Sequence, residues 1–592
     1  MNRSRVIWTA LLATFLFNPC FLAAAQTKES IFESIRRERE MMMGELHHRG
    51  GRDKQSPARL LAVASQPIDV THYRLRIRLA FDPPRITGSV TISGRTTSAL
   101  DTVRVNANQN LSITALRLDG LPRDFRRAND HVDLSLPETL PAGSDFTLEV
   151  DYQGPPIISG NLGGGMLVAT HGAGDTPVMA TLSEPYAAPT WWPCIDTPTD
   201  KATAEIEATV PQGYVAASNG LLQKTEANPD GTATYFWRED YPIATYLVSV
   251  AATDYVRFDD TYTSRDGASQ MPLVYYVYPE HLPQAQQKFP VTRAAMEIFA
   301  ELFGEYPFLE EKYGMAEFPW SGAMEHQTLT SMGERQIASS GTSRSIIAHE
   351  LAHQWWGDLV TMSSWNDIWL NEGFATYSEV LFFERFLNVP PGELMTGSYD
   401  DGQVSGLMRG TVYAEDAGDP FDDTGAIYTK GAWVLHMLRR VLGDGAFFAA
   451  LKDYGGRFSF NNASTRDFQQ VCEEHYGQSL DWFFQQWIFA PARPVYKITS
   501  SLLPRNGAGN YTANLTVKQA QAHAIPGRSG AAARVYVMPI DVQIHYADGS
   551  RETRVIFNNA RKQKFSFTLS KQPARIGFDE EGWVLKKVKG SL

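Results

Sequence analysis

The segment HELAHQWWGDLVTMSSWNDIWLNEGFATY, residues 349–377, decides how the rest of the chain is read. On a helix, His349 and His353 lie one turn apart on the same face, close enough to hold one cation between imidazole nitrogens, with Glu350 beside them. Ser343 is placed to cap that helix and Gly357 to end it, so the local sequence predicts the helix independently. Alone, an HExxH string arises by chance at about the few-per-cent level in a chain of this length. A second carboxylate changes that weighting: Glu372 opens another helical stretch, with 18 residues between it and His353. Two histidines and one carboxylate leave the fourth position of a tetrahedral Zn²⁺ open, which is the catalytic rather than the structural arrangement. Zn²⁺, one per chain, fits the ligand set, and Co²⁺ or Mn²⁺ would bind such a site in vitro. A metal there would acidify water and polarise a carbonyl while Glu350 accepts the proton. Asn371, next to Glu372, is a candidate to orient a ligand histidine.

Outward from this segment the texture is helical across residues 257–491, with helix-length stretches at 289–303, 343–356, 373–387 and 430–442. Before it, residues 67–256 alternate with a period of two. Tyr73, Leu75, Ile77 and Leu79 interleave with Arg74, Arg76 and Arg78, and Gly, Pro and Asp separate the runs, which predicts a mainly antiparallel β domain. After it, residues 492–592 return to alternation, as in Ala513, Leu515 and Val517 and in Ile540, Val542 and Ile544, and read as a β-sandwich module. The expected fold class is therefore α+β and multidomain.

The ends and the composition set the context. Arg3 and Arg5 precede an apolar run over residues 6–22, and Ala23, Ala24 and Ala25 follow, the pattern of a secretory signal over residues 1–25. The run is shorter than the roughly 20 residues a spanning helix needs, so we expect no membrane anchor after cleavage and a secreted or periplasmic chain. Residues 26–66 form a polar extension in which Ile31, Ile35 and Met42 share one possible helical face and residues 47–57 read as linker. Lys plus Arg is 54 against Asp plus Glu 66, with no long basic block, which argues against nucleic acid as a partner. Cys20 leaves with the signal, and Cys194 and Cys472 fall in different domains, so no disulfide framework is expected.

These residues carry a resemblance. Residues 349–377 resemble the zinc-binding segment of the M1 family of gluzincin aminopeptidases, which includes aminopeptidase N and leukotriene A4 hydrolase. GAMEH, from Gly322 through Ala323, Met324 and Glu325 to His326, stands in the place of the family's GxMEN motif, and Tyr428-Thr429-Lys430-Gly431 matches its YxKG. WPCIDTPTDKAT (192–203) and WFFQQWIFAPARPVY (482–496) resemble two further stretches in the expected order. The resemblance spans about residues 67–590 and implies a β domain, a thermolysin-like catalytic domain and a β-sandwich. It also implies zinc on His349, His353 and Glu372, Glu350 as general base, and Tyr428 donating to the oxyanion. Glu325 and Glu184 would share the free α-ammonium of a peptide substrate, so that residues leave singly from the N-terminus. Tyr377, by contrast, reads as a core tyrosine. His326 departs from the family's Asn. We expect no helical C-terminal domain of the kind that longer relatives carry, and with it a more open cleft.

Three functions follow for consideration. An exported zinc aminopeptidase is the leading one; an epoxide hydrolase like leukotriene A4 hydrolase and a catalytically silent peptide-binding module are the alternatives.

Overall fold

The computed structural model describes residues 28–49, 66–159, 162–399, 410–414, 420–505, 509–523, 525 and 535–589. The expected signal and cleavage site, and the part of the expected linker at 50–57, lie outside the described residues. No helix among those described is long and apolar enough to cross a membrane.

Alternation builds the N-terminal domain as read. Strand Ile68–Phe81 buries Tyr73, Leu75, Ile77 and Leu79, while Arg74 and Arg76 reach outward to Glu207 and Arg78 to Asp230. It lies near the middle of an eight-stranded sheet, antiparallel to Pro84–Thr96 on one side. On the other side it pairs parallel with Ala202–Pro211, an exception within a mainly antiparallel domain. A second, five-stranded sheet contains Thr176–Leu182, whose end leads directly to Glu184.

The catalytic region departs from its mainly helical expectation at its start. Strands Val256–Thr263, Gln270–Val277, Tyr313–Phe318, Thr330–Gly333 and Ala323–Met324 form a five-stranded mixed sheet, with helices Leu282–Lys288 and Val291–Phe303 inserted after its second strand. The edge strand Val256–Thr263 is half-exposed, but Tyr313–Phe318 and Thr330–Gly333 are buried throughout and lack the polar alternation that marks a half-exposed strand. The short edge strand Ala323–Met324 holds the GAMEH segment antiparallel to Thr330–Gly333.

Four helices build the site: α1 (Lys28–Arg49), α2 (Arg344–Ala352), α3 (Trp369–Leu387) and α4 (Gly431–Leu442). The first of these extends into the stretch read as linker and packs on the catalytic domain, with Ile35 buried. Helix α3 meets α4 at Gly373 and Gly431. A Cβ on Gly373 would stand 3.0 Å from the Gly431 Cα, so only glycine lets the two backbones approach this closely.

The C-terminal region forms a four-stranded and a three-stranded sheet. Ala513, Leu515 and Val517 from one and Ile540, Val542 and Ile544 from the other are all buried, as a sandwich requires. It joins the catalytic domain through Trp583, stacked 4.7 Å from the His436 ring, and through Arg440 to Asp541 at 2.5 Å. Cys194 and Cys472 are both free and buried.

Candidate metal centre and active site

Helix α2 carries His349 and Glu350, and His353 follows its last residue as the C-cap. The helix thus stops short of Gly357, because the chain turns back and the Asp358 N–H donates to the His353 carbonyl. Ser343 does not cap it. That residue is left-handed, at φ 55°, and its hydroxyl donates to the Gln336 carbonyl at 2.6 Å. The capping carboxylate comes from α1: Glu38 Oε2 accepts from the Ser345 N–H at 2.9 Å and Oε1 from the Thr342 hydroxyl at 2.8 Å. An acidic group there also suits the positive end of the helix.

Glu372, in the first turn of α3, brings its Oε2 to 3.2 Å from His349 Nε2 and 3.4 Å from His353 Nε2. One ligand atom from each of the three lies within 4.8 Å of the others. The opposite nitrogens are engaged: His349 Nδ1 with Glu379 Oε1 at 2.9 Å, and His353 Nδ1 with the Trp356 carbonyl at 2.9 Å. Both imidazoles therefore have Nδ1 fixed as donor and Nε2 aimed at Glu372, which is the donor set and tautomer that Zn²⁺ takes.

The electrostatics reflect this crowding. Burial alone would push the Glu372 carboxyl up, but His353 and His349 outweigh it and pull it down to about 2. Burial would depress the His349 imidazole, yet its bonds to Glu372 and Glu379 lift it to about 9. Glu350 is pushed up to about 8, mainly by burial.

Glu379 is the residue that sequence reading missed. It lies seven positions after Glu372 on the same helical face of α3, a spacing visible in the sequence, and it accepts from His349, Arg39, Ser345 and Tyr399. Asn371 is not hydrogen-bonded to a ligand histidine; its amide donates to the Tyr246 hydroxyl at 3.2 Å. Tyr377 is a core residue, within hydrogen-bonding distance of His436 Nδ1 at 3.2 Å.

A cavity opens on the other side, lined by Glu350, Tyr428, Glu184, Glu325 and the apolar Leu182, Trp320 and Met324, together with Gly322 and Ala323. Tyr428 lies on a π-helical turn, Gly425–Lys430, with its ring stacked 5.9 Å from that of His349. Such turns are frequent at functional sites because they re-aim one side chain out of the regular helix. Burial raises the phenol well above its ordinary pKa, which keeps it a neutral donor. Glu184 Oε1, Glu325 Oε1 and Glu350 Oε2 are buried with no protein hydrogen-bond partner. Burial, reinforced for Glu184 by the charge of Glu325, raises the carboxyls of Glu184 and Glu325 above their usual range.

His326 is not part of this lining. It is fully buried, its Nδ1 lies 2.8 Å from the Ser331 hydroxyl, and burial depresses its pKa to about 3. The structure thus brings Gly322, Ala323, Met324, Glu325 and Glu184 to the cavity and leaves His326 behind it.

Comparison with known proteins follows the same outline. Residues 288–487 match the family model described as the peptidase family M1 domain, and residues 69–247 match that of the peptidase M1 N-terminal domain. Glutamyl aminopeptidase of Rattus norvegicus is 28% identical over 474 residues, covering 73% of this chain and 48% of its own. The chain therefore spans about half the length of the curated relatives it matches. An M1 zinc metallopeptidase variant from Deinococcus radiodurans, solved with a Tyr-Ser-Ala substrate, is 26% identical with a TM-score of 0.61, covering 71% of this chain and 94% of its own. Aminopeptidase A of Legionella pneumophila, solved with aspartic acid, shares the fold at a TM-score of 0.75 and 18% identity, covering 91% and 61%.

Proposed function

The chain belongs to peptidase family M1, a zinc peptidase family, and on that premise we propose that it removes N-terminal amino acids singly from peptides with a free α-amine. The observation that carries the reading is a pair of buried carboxylates, Glu184 and Glu325, each with one oxygen that lacks a protein hydrogen-bond partner, beside the His349, His353 and Glu372 cluster. An α-ammonium is the partner those oxygens lack, and holding it there sets the first peptide bond at the metal cluster. His349, His353 and Glu372 would hold zinc, which when bound supplies Lewis acidity to the scissile carbonyl and the attacking water.

The remaining chemistry falls to the chain's own residues. Glu350, with one oxygen free of protein partners and facing the cavity, accepts the proton of the attacking water and returns it to the leaving amine. Tyr428 donates its hydroxyl to the oxygen that gains negative charge. The cavity walls contribute selectivity. Among the described residues, the lining outside the His349, His353 and Glu372 cluster and Tyr428 carries carboxylates and apolar side chains and no Lys or Arg, so an acidic first side chain finds no counter-charge on those walls. Although the rat relative is named for glutamyl substrates, we propose a neutral, apolar preference for this chain. Export by a cleaved signal over residues 1–25 completes the proposal.

A panel of aminoacyl amides carrying a fluorescent leaving group tests it with the purified mature chain. Chelator-sensitive release, strongest from apolar residues and weak from glutamyl and aspartyl amides, is the expected result. Equal or better release from the acidic amides would overturn the pocket assignment. Silence across the panel from zinc-loaded protein would overturn the activity and favour the epoxide-hydrolase or peptide-binding alternatives.

A further inference from the structure

Helix α1 lies outside both stretches that match the family models, yet it reaches the back of the metal centre. Ile31, Phe32, Ile35, Glu38 and Arg39 share one face by helical spacing, and this face carries charge where a simple docking helix would carry only apolar residues. Phe32 and Ile35 provide the packing; the Phe32 ring lies close enough to Gly397 that a Cβ there would come within 2.9 Å. Glu38 caps α2 through the Ser345 N–H and the Thr342 hydroxyl. Arg39, only 7% exposed, donates from Nη1 to Glu379 Oε1 at 3.0 Å and from Nη2 to the Thr429 hydroxyl at 3.3 Å. Its guanidinium also stacks 4.1 Å from the Tyr399 ring, and Tyr399 in turn donates to Glu379.

Each of these contacts ends one step from the site. Glu379 accepts from His349 on the same oxygen that Arg39 engages. Ser345 lies one turn before His349, and Thr429 adjoins Tyr428. From these contacts we infer that α1 is a clamp for the metal centre, in which Arg39 and Glu38 are positioning residues that tie together the segments bearing His349, Glu372 and Tyr428. A planar guanidinium suits the task because its fork satisfies two acceptors while its face packs on a ring, and a lysine cannot do all three. Without the clamp, Glu379 would keep its bonds to His349, Ser345 and Tyr399 but lose the charged partner on the oxygen that holds His349, and the Ser345 N–H at the start of α2 would lose its acceptor.

The inference rests on reading His349, His353 and Glu372 as the metal site, but not on peptide hydrolysis, so the test reads metal affinity directly. Zinc affinity of the full chain is measured by competition with a chelating zinc indicator, beside kcat and KM at saturating zinc. Arg39→Met should weaken zinc binding about tenfold, in line with the loss of an outer partner of a metal ligand, and lower kcat while leaving KM nearly unchanged. Arg39→Lys should recover part of the affinity, and Glu38→Gln should cost less than Arg39→Met. Arg37→Ala, on the exposed side of α1, should match the parent. Zinc affinity within about twofold of the parent in Arg39→Met, even with a lowered Tm, would overturn the clamp and leave α1 a merely structural helix. If Arg39→Met does not fold, Arg39→Lys decides: zinc binding about threefold weaker or more supports the clamp, and parental affinity overturns it.

Discussion

The two sides of the metal centre treat buried polar atoms in opposite ways. On the back, every Glu379 contact is matched: His349, Arg39, Ser345 and Tyr399 all donate to it, and His353 Nδ1 is held by a backbone carbonyl. On the cavity side, Glu184, Glu325 and Glu350 each keep a buried oxygen with no protein partner. A buried carboxylate without a partner is costly, and three in one cavity make sense only if something that binds there supplies the missing donors. The contrast teaches where the molecule needs rigidity and where it needs a substrate. On the proposed reading, paired groups fix the ligands before binding, and unpaired groups take up the ammonium and the proton in transit.

Several substitutions would break or sharpen that contrast. Glu350→Gln removes the base but keeps its shape, so kcat should fall by about a thousandfold, with zinc content and Tm unchanged; a loss below tenfold would mean that Glu350 does not move the proton. On the back side, Glu379→Gln should weaken zinc binding by about 10- to 100-fold in a chelator competition while affecting KM little. A smaller effect follows from pH. Burial raises the carboxyls of Glu184 and Glu325 above their usual value of 4.5, and they attract an ammonium only when ionised. As pH falls through those raised values kcat/KM should therefore decline, with its acid limb above 4.5; a profile flat down to 4.5 would contradict their role. The smallest change is expected from His326→Asn. Because His326 is buried behind the cavity and held neutral, kcat/KM should move by about threefold or less and the pH profile should keep its shape.

How much of this was legible in the sequence depends on how local the signal is. The helix that carries the candidate ligand histidines and Glu350 follows from helical spacing, and the strands of the outer domains, though not their pairing, from alternation of residues such as Tyr73 and Arg74. The inner part of the catalytic sheet was not legible, because strands such as Tyr313–Phe318 and Thr330–Gly333 are buried on both faces and lose the period-two pattern. Ser343 looked like a cap by residue type, but its left-handed backbone turns the hydroxyl to Gln336, and the cap arrives from Glu38, far away in the chain. The placement of Glu184 beside Glu325 was available only through family resemblance, since neither spacing nor periodicity links two residues on different domains. Asn371 shows the limit of adjacency: standing next to a ligand, it bonds Tyr246 instead.

The most direct test of the central claim compares a free-amine aminoacyl amide with its N-acetylated twin on the zinc-loaded chain. Acetylation removes the ammonium and leaves Glu184 and Glu325 buried without a partner, so kcat/KM should fall by at least about a thousandfold while the scissile bond is unchanged. Comparable cleavage of the two would show that the cavity carboxylates do not select a free N-terminus, and the aminopeptidase account would be wrong.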